Sequence, residues 1–170
     1  MNTTTMSTPT GPLTIIASGE GVVRAAGFTA HADDLIGLLP PAWRVEPRPV
    51  PDLGDISKVV RAYLAGDPTA LDQIPVEQRP AGGAPPFLDR AWRVLREVRP
   101  GEVVTYTALA ARCGNPAAVR AAANACARNA AALFVPCHRV RRGDGGLGGY
   151  RWGLDVKRWL IHHEARAPGR

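Results

Sequence analysis

Cys137 and His138 stand side by side, and they are the strongest chemical signal in the chain. A thiol is a good nucleophile only as its thiolate, and an ordinary cysteine is mostly protonated at neutral pH. A histidine one hydrogen bond or one bridging water away can take that proton. Such a base needs a third group to fix its tautomer, and a carboxylate is the usual choice. The acidic residues that follow are Asp144, Asp155 and Glu164. Glu164 ends an amphipathic segment, about Asp155–His163, that can fold back on the pair. Pro136 has no backbone donor and a restricted φ, so it positions Cys137 rigidly at the end of the strand-like apolar run Ala132–Val135. Simpler readings stand beside this one. A buried cysteine in an apolar run is usually a small hydrophobe. Cys113, Cys126, Cys137 and His138 also form a weak zinc set, because spacings of thirteen and eleven residues lack the short knuckle of structural zinc sites. Three widely spaced cysteines do not read as a disulfide framework, which points to the cytoplasm and free thiols.

The elements that must hold this pair are legible in outline. Before it, Phe87, Ala91, Trp92, Leu95 and Val98 line one face of a helix that stops at Pro100-Gly101. Val103-Val104 lead into a helix at about Thr107–Cys113. Gly114-Asn115-Pro116 then closes that helix and opens an alanine-rich one, Pro116 to about Arg128. Helix, glycine-containing turn, helix is the helix-turn-helix pattern, although many helical hairpins share it. After the pair, Arg141–Gly149 is a glycine-rich loop without the Lys-Ser/Thr ending of a phosphate-binding P-loop. The first half predicts a hairpin (Leu13–Ser18 and Val22–Phe28), a short helix at Ala32–Leu39 and a third strand at Trp43–Val45. A helix follows at Ile56–Ala65 with Asp55 as its cap, and no catalytic constellation is visible. The Pro/Gly run Arg79–Phe87 reads as a linker, dividing the chain into 1–80, a linker at 81–86, and 87–170.

Charge divides at the same place. Residues 1–85 carry 6 basic and 9 acidic side chains, whereas residues 86–170 carry 15 and 6, so the net charge of +6 describes neither half. An arginine-rich half suits a polyanionic partner, and it suits a merely soluble surface equally well. No apolar stretch is long enough to span a membrane, and the polar, uncharged Met1–Thr10 does not read as a secretion signal.

Taken together, these motifs resemble the methylated-DNA–protein-cysteine methyltransferases, or O6-alkylguanine-DNA alkyltransferases. The resemblance rests on Pro136-Cys137-His138-Arg139-Val140 with Asn129 before it and Gly148-Gly149-Tyr150, Lys157, Trp159-Leu160 and His163-Glu164 after it. It reaches back through Gly101–Tyr106, Leu109-Ala110, Gly114-Asn115-Pro116 and Arg120, and so covers about Phe87–Glu164. It implies a mixed α/β fold: a small N-terminal domain with an antiparallel, ribonuclease H-like sheet, then a helical winged helix-turn-helix domain. It implies a monomer that binds duplex DNA on the minor-groove side and flips an O6-alkylguanine out of the helix, with Thr107, Asn115, Ala117, Arg120 and Ala121 at the DNA and Arg120 as the inserted finger. Cys137 is then the alkyl acceptor, His138 its base, Glu164 the holder of His138, and Tyr106 a hydrogen-bond donor to the base. Asn129 ties the recognition helix to the active-site turn. Pro136, Val140, Tyr150, Arg151 and Trp152 form the pocket, the loop Gly143–Tyr150 its lip, and Arg139 a structural support. The implied thioether product is stable, so the protein is consumed, and no metal or organic cofactor is needed. Non-catalytic relatives that only bind lesions replace the acceptor cysteine, which is present here. Two departures stand out: no cysteine precedes Cys113 for the zinc that some relatives carry, and Trp152 occupies a position where others have glycine, which should narrow the pocket.

Overall fold

The computed structural model describes residues 1–79, 83 and 85–166. Its polar, Thr-rich opening forms strand β1 (Asn2–Thr8). Threonine is β-branched and fits a pleated, half-buried surface. β1 pairs antiparallel with β2 (Gly11–Ala17), from Asn2 opposite Ala17 to Thr8 opposite Gly11, and the hydroxyls of Thr5 and Thr14 meet across the pair at 2.8 Å. The expected hairpin joins β2 to β3 (Val23–Gly27), also antiparallel. Strand β4 (Arg48–Pro49) lies parallel to the start of β1, giving the order β3-β2-β1-β4.

β2 is buried on both faces. Leu13, Ile15 and Ala17 join the main core, while Ile16 joins a smaller cluster with Ala25, Leu35, Leu39 and Ala130. The period of two along a strand sends successive side chains to these two cores. Helix α1 (Asp33–Ile36) is shorter than the expected Ala32–Leu39. Trp43–Val45 is not a strand. Trp43 ends a 3-10 turn that starts at Pro41, and its ring lies under the Arg24 guanidinium at 3.9 Å. Helix α2 (Asp55–Leu64) buries Ile56, Val59, Val60 and Tyr63, as their spacing predicts. Its cap is Gly54 at φ 65°, a conformation that glycine adopts without penalty, so Asp55 lies inside the first turn rather than capping it. The carboxylate there still favours the positive end of the helix dipole.

In the second half, α3 (Pro86–Glu97) buries Leu88, Ala91, Trp92, Val94 and Leu95. β5 (Val104–Thr105) leads into α4 (Tyr106–Arg112), capped by Thr105, whose hydroxyl accepts from the Ala108 N–H at 3.0 Å. α5 (Val119–Ala127) begins three residues after Pro116, because Asn115–Ala118 first makes a hydrogen-bonded turn. Trp92 locks α3 to α5 through its indole N–H on the Ala125 carbonyl, 2.9 Å away. β6 (Val140–Arg141) pairs with β5, and α6 (Leu154–Ala165) closes the described chain. The expected mixed α/β architecture is therefore present. Of the expected linker at 81–86, residues 81, 82 and 84 lie outside the described residues. The halves on either side share one core, in which Ile56 and Val60 cluster with Leu95, Leu109 and Leu160.

Candidate active site

The residues before Cys137 form a tight turn rather than the expected strand over Ala132–Val135. The Val135 N–H returns to the Ala131 carbonyl at 2.9 Å, and Leu133 takes φ 73°. That conformation costs an L-residue roughly 1–2 kcal/mol, so neighbouring contacts must impose it. Two sets do. β3 grips the segment from outside: the Ala26 N–H donates to the Ala130 carbonyl and the Ala132 N–H to the Ala26 carbonyl, both at 2.9 Å. Asn129 grips it from inside. Its Oδ1 accepts the Ala131 N–H at 3.0 Å, while its Nδ2 donates to the Val135 carbonyl at 2.7 Å and to Cys137 Sγ at 3.1 Å. One buried amide thus ties the end of α5 to the turn and aims a donor at the sulfur.

Cys137, His138 and Arg139 make a single buried 3-10 turn. Burial pushes the Cys137 thiol pKa up, and the Asn129 hydrogen bond and the Lys157 charge oppose that push without reversing it. Its resting form is the neutral thiol. His138 Nε2 lies 2.7 Å from Glu164 Oε1. Arg139 clamps the same carboxylate, with Nε 2.9 Å from Oε2 and Nη2 3.0 Å from Oε1, and its Nη1 donates to the Val98 carbonyl at 2.5 Å. Tyr63, from α2, donates its hydroxyl to Oε1 at 2.9 Å. Burial pushes the Glu164 carboxyl up, but the hydrogen bonds of His138 and Arg139 and the Arg139 charge prevail and hold it well below the usual carboxylate range. Burial pushes His138 below its ordinary value against the pull of Glu164, so the ring is neutral. An ionised carboxylate offers no proton. The hydrogen in the His138–Glu164 contact therefore sits on Nε2, and Nδ1 carries a free lone pair. Nδ1 is buried and has no hydrogen-bond partner among the described residues.

A cavity of about 420 Å3 opens above the sulfur. Its lining is Cys137, Asn129, Tyr106, Ala123, Cys126, Ala127 and Gly149 to Trp152. That is the size range of small-molecule pockets. The lip is held by position-specific contacts. Lys157 is fully buried, and its ammonium donates to the carbonyls of Leu147 (2.5 Å) and Gly149 (3.2 Å). Gly148, at φ 72°, lies so close to Tyr106 that a Cβ there would stand 2.6 Å from the phenol oxygen. Arg151 donates to the Ala127 carbonyl at the end of α5, 2.8 Å away, and the Trp152 ring covers Gly27 of β3, leaving no room for a Cβ. Tyr106 and Ala123 also border an open groove with Ala117, Val119 and Arg120, so the pocket gives onto the helix-turn-helix surface.

Of the residues expected at the site, Cys137, Asn129, Tyr106, Tyr150, Arg151 and Trp152 meet at the cavity, while His138 and Glu164 do not line it and pair with each other at 2.7 Å. Pro136 and Val140 do not line it. Pro136 borders a small cleft with Leu71 and Arg96, and Val140 is fully buried in its ladder with Val104. Thr107, Asn115, Ala117, Arg120 and Ala121 are exposed on or between α4 and α5, and Asn115 Oδ1 accepts the Ala117 N–H at 3.2 Å. Tyr63, Cys126 and Ala123 were not foreseen. Tyr63 read as part of an apolar stripe, and its polar atom is its only signal. Among the described residues no three His, Cys, Asp or Glu side chains converge as a metal site, and no helix is long and apolar enough to cross a membrane.

Fold and site together define a protein with a buried, relay-backed cysteine at the floor of a pocket that opens beside a helix-turn-helix. Residues 86–166 match the family described as 6-O-methylguanine DNA methyltransferase, DNA binding domain. The chain is 33% identical over 162 residues to a methylated-DNA–protein-cysteine methyltransferase of Shigella flexneri, covering 94% of this chain and 92% of that one. It is 34% identical over 178 residues to the Homo sapiens protein of the same name, covering 100% and 83%. A crystal structure of Mycobacterium tuberculosis OGT in complex with DNA superposes with a TM-score of 0.79 at 29% identity, covering 99% and 96%. The chain belongs to the methylated-DNA–protein-cysteine methyltransferase family.

Proposed function

We propose that this protein repairs DNA by taking the alkyl group from O6 of guanine, and from O4 of thymine by the same chemistry, onto Cys137. The observation that carries this reading is the sulfur at the cavity floor, in contact with Asn129 and backed by the His138–Glu164 pair. The monomer lays α4 and α5 on the minor-groove side of a duplex. Arg120 fills the gap as the damaged base turns into the pocket, at a cost of a few kcal/mol in stacking and pairing. The thiol proton passes through a bridging water to His138 Nδ1, and the imidazolium that forms is stabilised by Glu164. The sulfur then attacks the alkyl carbon in line: the S–C bond forms as the C–O6 bond breaks, and the electron pair goes to the guanine. Burial pushes the Tyr106 phenol up to about 12, so at neutral pH it keeps its proton and can donate to the departing base. The product is a thioether that no neighbouring group can hydrolyse, so each molecule acts once.

Mass spectrometry after incubation with duplex DNA carrying O6-methylguanine tests this directly. The peptide containing Cys137 gains one methylene, and Cys137→Ser binds the duplex without gaining mass. An unmodified protein that still binds the lesion would instead mark a non-catalytic alkyltransferase-like protein.

A further inference from the structure

The first half of the chain carries no nucleophile, base or pocket wall, yet it sends one polar atom into the relay. Tyr63 is fully buried on α2, and its hydroxyl donates to Glu164 Oε1 across 101 residues of sequence. Among the described residues it is the only first-half side chain hydrogen-bonded to Cys137, His138, Glu164 or Asn129. A phenylalanine would fill the same volume without the desolvation that a buried phenol incurs, so packing alone does not call for the oxygen. The ring is also held in place from outside. The His163 Nε2–H donates to the Tyr63 carbonyl at 2.7 Å, the two rings meet at 5.2 Å, and His163 stacks on Trp159 at 4.5 Å.

We propose that Tyr63 is a positioning residue for the transfer reaction: its hydroxyl saturates and orients the Glu164 carboxylate, so that His138 keeps its Nε2 proton there and presents its bare Nδ1 to the thiol. The inference rests on the alkyl-transfer reading of Cys137. Oε1 accepts three hydrogen bonds, from His138, Tyr63 and Arg139. Each donor draws charge from the oxygen and lowers its affinity for the histidine's proton. The carboxylate can then steady an imidazolium without taking its hydrogen. Tyr63 is suited to this, because burial and the adjacent Glu164 charge hold its own proton on firmly. Arg139 does the same from the other side, through its guanidinium. Removing the Tyr63 hydroxyl returns charge to Oε1, stabilises the imidazolium, and raises the pH at which His138 stops serving as a base. The other groups facing this cluster are Lys157 and His163 on α6, Cys137 on the turn, and Tyr150 on the lip. Tyr63→Phe leaves all of them in place.

The test compares the full-length wild type and Tyr63→Phe in single-turnover methyl transfer from duplex DNA between about pH 5 and pH 8, the window in which a histidine titrates. Duplex affinity is measured alongside. The variant binds DNA like wild type and shows an acid limb displaced upward by roughly half a pH unit, so it transfers about three-fold more slowly on the acid side of the limb and nearly as fast as wild type at neutral pH. A limb that does not move, whether the rate is unchanged or falls equally at every pH, overturns the proposal. If the wild type itself gains no methyl group, the alkyl-transfer reading fails first. If the wild type transfers and the variant matches its profile, only the role of Tyr63 fails. Should Tyr63→Phe not fold, the wild-type hydroxyl proton decides by NMR. An exchange-protected proton whose shift follows the titration of His138 supports the role, and one that exchanges freely or ignores that titration overturns it.

Discussion

Glu164 shows how much one side chain has to organise. It is 4% exposed, and it accepts hydrogen bonds from His138, Arg139 and Tyr63. A buried carboxylate with fewer donors would neutralise itself by taking a proton. This one stays ionised, and that makes the fold sensitive to acid. The unfolded chain protonates His138 near its ordinary 6.5 and Glu164 near 4.5, whereas the folded protein holds both pKa values lower. Below each ordinary value the unfolded state binds more protons, so stability present at neutral pH is lost as pH falls. The melting temperature should be level above pH 6.5, decline below it, and decline again below 4.5. Glu164→Gln should cost about 3 kcal/mol by stranding the buried Arg139, and should remove the second decline. Melting curves across that range decide the matter, and a second decline that survives the substitution would assign it to other carboxylates. Cys137, His138, Asn129 and Glu164 were legible because a short motif and one amphipathic helix carry them. Tyr63 was not, because helical spacing reports that a side chain faces inward and is silent on what its last atom meets.

At the level of elements, periodicity located the helices well, since a packed helix must keep one face apolar. It failed where polar or apolar content and geometry diverge. β1 is threonine-rich and carries no apolar alternation, yet it is a strand because its partner β2 supplies the core. Ala132–Val135 is apolar like a strand, yet Asn129 and β3 bend it into the turn that aims Cys137. Pro116 looked like a helix start, but the Asn115 turn delays α5 to Val119, which moves Arg120 to the second position of the helix. Arg120 is exposed beside the groove that runs to the pocket, so truncating it disturbs no packing. Arg120→Ala should slow transfer from duplex DNA by about thirty-fold, the equivalent of roughly 2 kcal/mol of lost help with base extrusion. Transfer from free O6-methylguanine, which needs no extrusion, should be nearly unchanged. Single-turnover rates with the two substrates check this, and equal slowing of both would place Arg120 in the chemical step instead.

At the scale of the whole molecule, the division of charge and the division of labour do not coincide. In sequence, the acidic first half shows no catalytic constellation, and the basic second half carries the cysteine motif. The fold instead routes the first half into the site at three places: Tyr63 on Glu164, Ala26 on the active-site turn, and Gly27 beneath Trp152. What stays separate is the surface charge. Arg141 pairs in register with Thr105 at the start of α4, and Arg142 lies close enough to Tyr106 for its charge to oppose the rise that burial imposes on the phenol, so both flank the proposed DNA face. Arg61 lies on α2, away from that face; it pairs with Asp52 at 3.0 Å, as Arg142 pairs with Asp144 at 2.8 Å. Each phosphate contact contributes about 0.9 to the slope of log affinity against log salt. Removing Arg141 and Arg142 together should therefore lower the slope by up to about 1.8, while Arg61→Ala should leave it unchanged. Fluorescence anisotropy with an undamaged duplex between about 50 and 200 mM salt measures the slope directly. Equal slopes for all three proteins would mean that Arg141 and Arg142 do not meet phosphates, and that any phosphate contacts are made by other arginines of the second half.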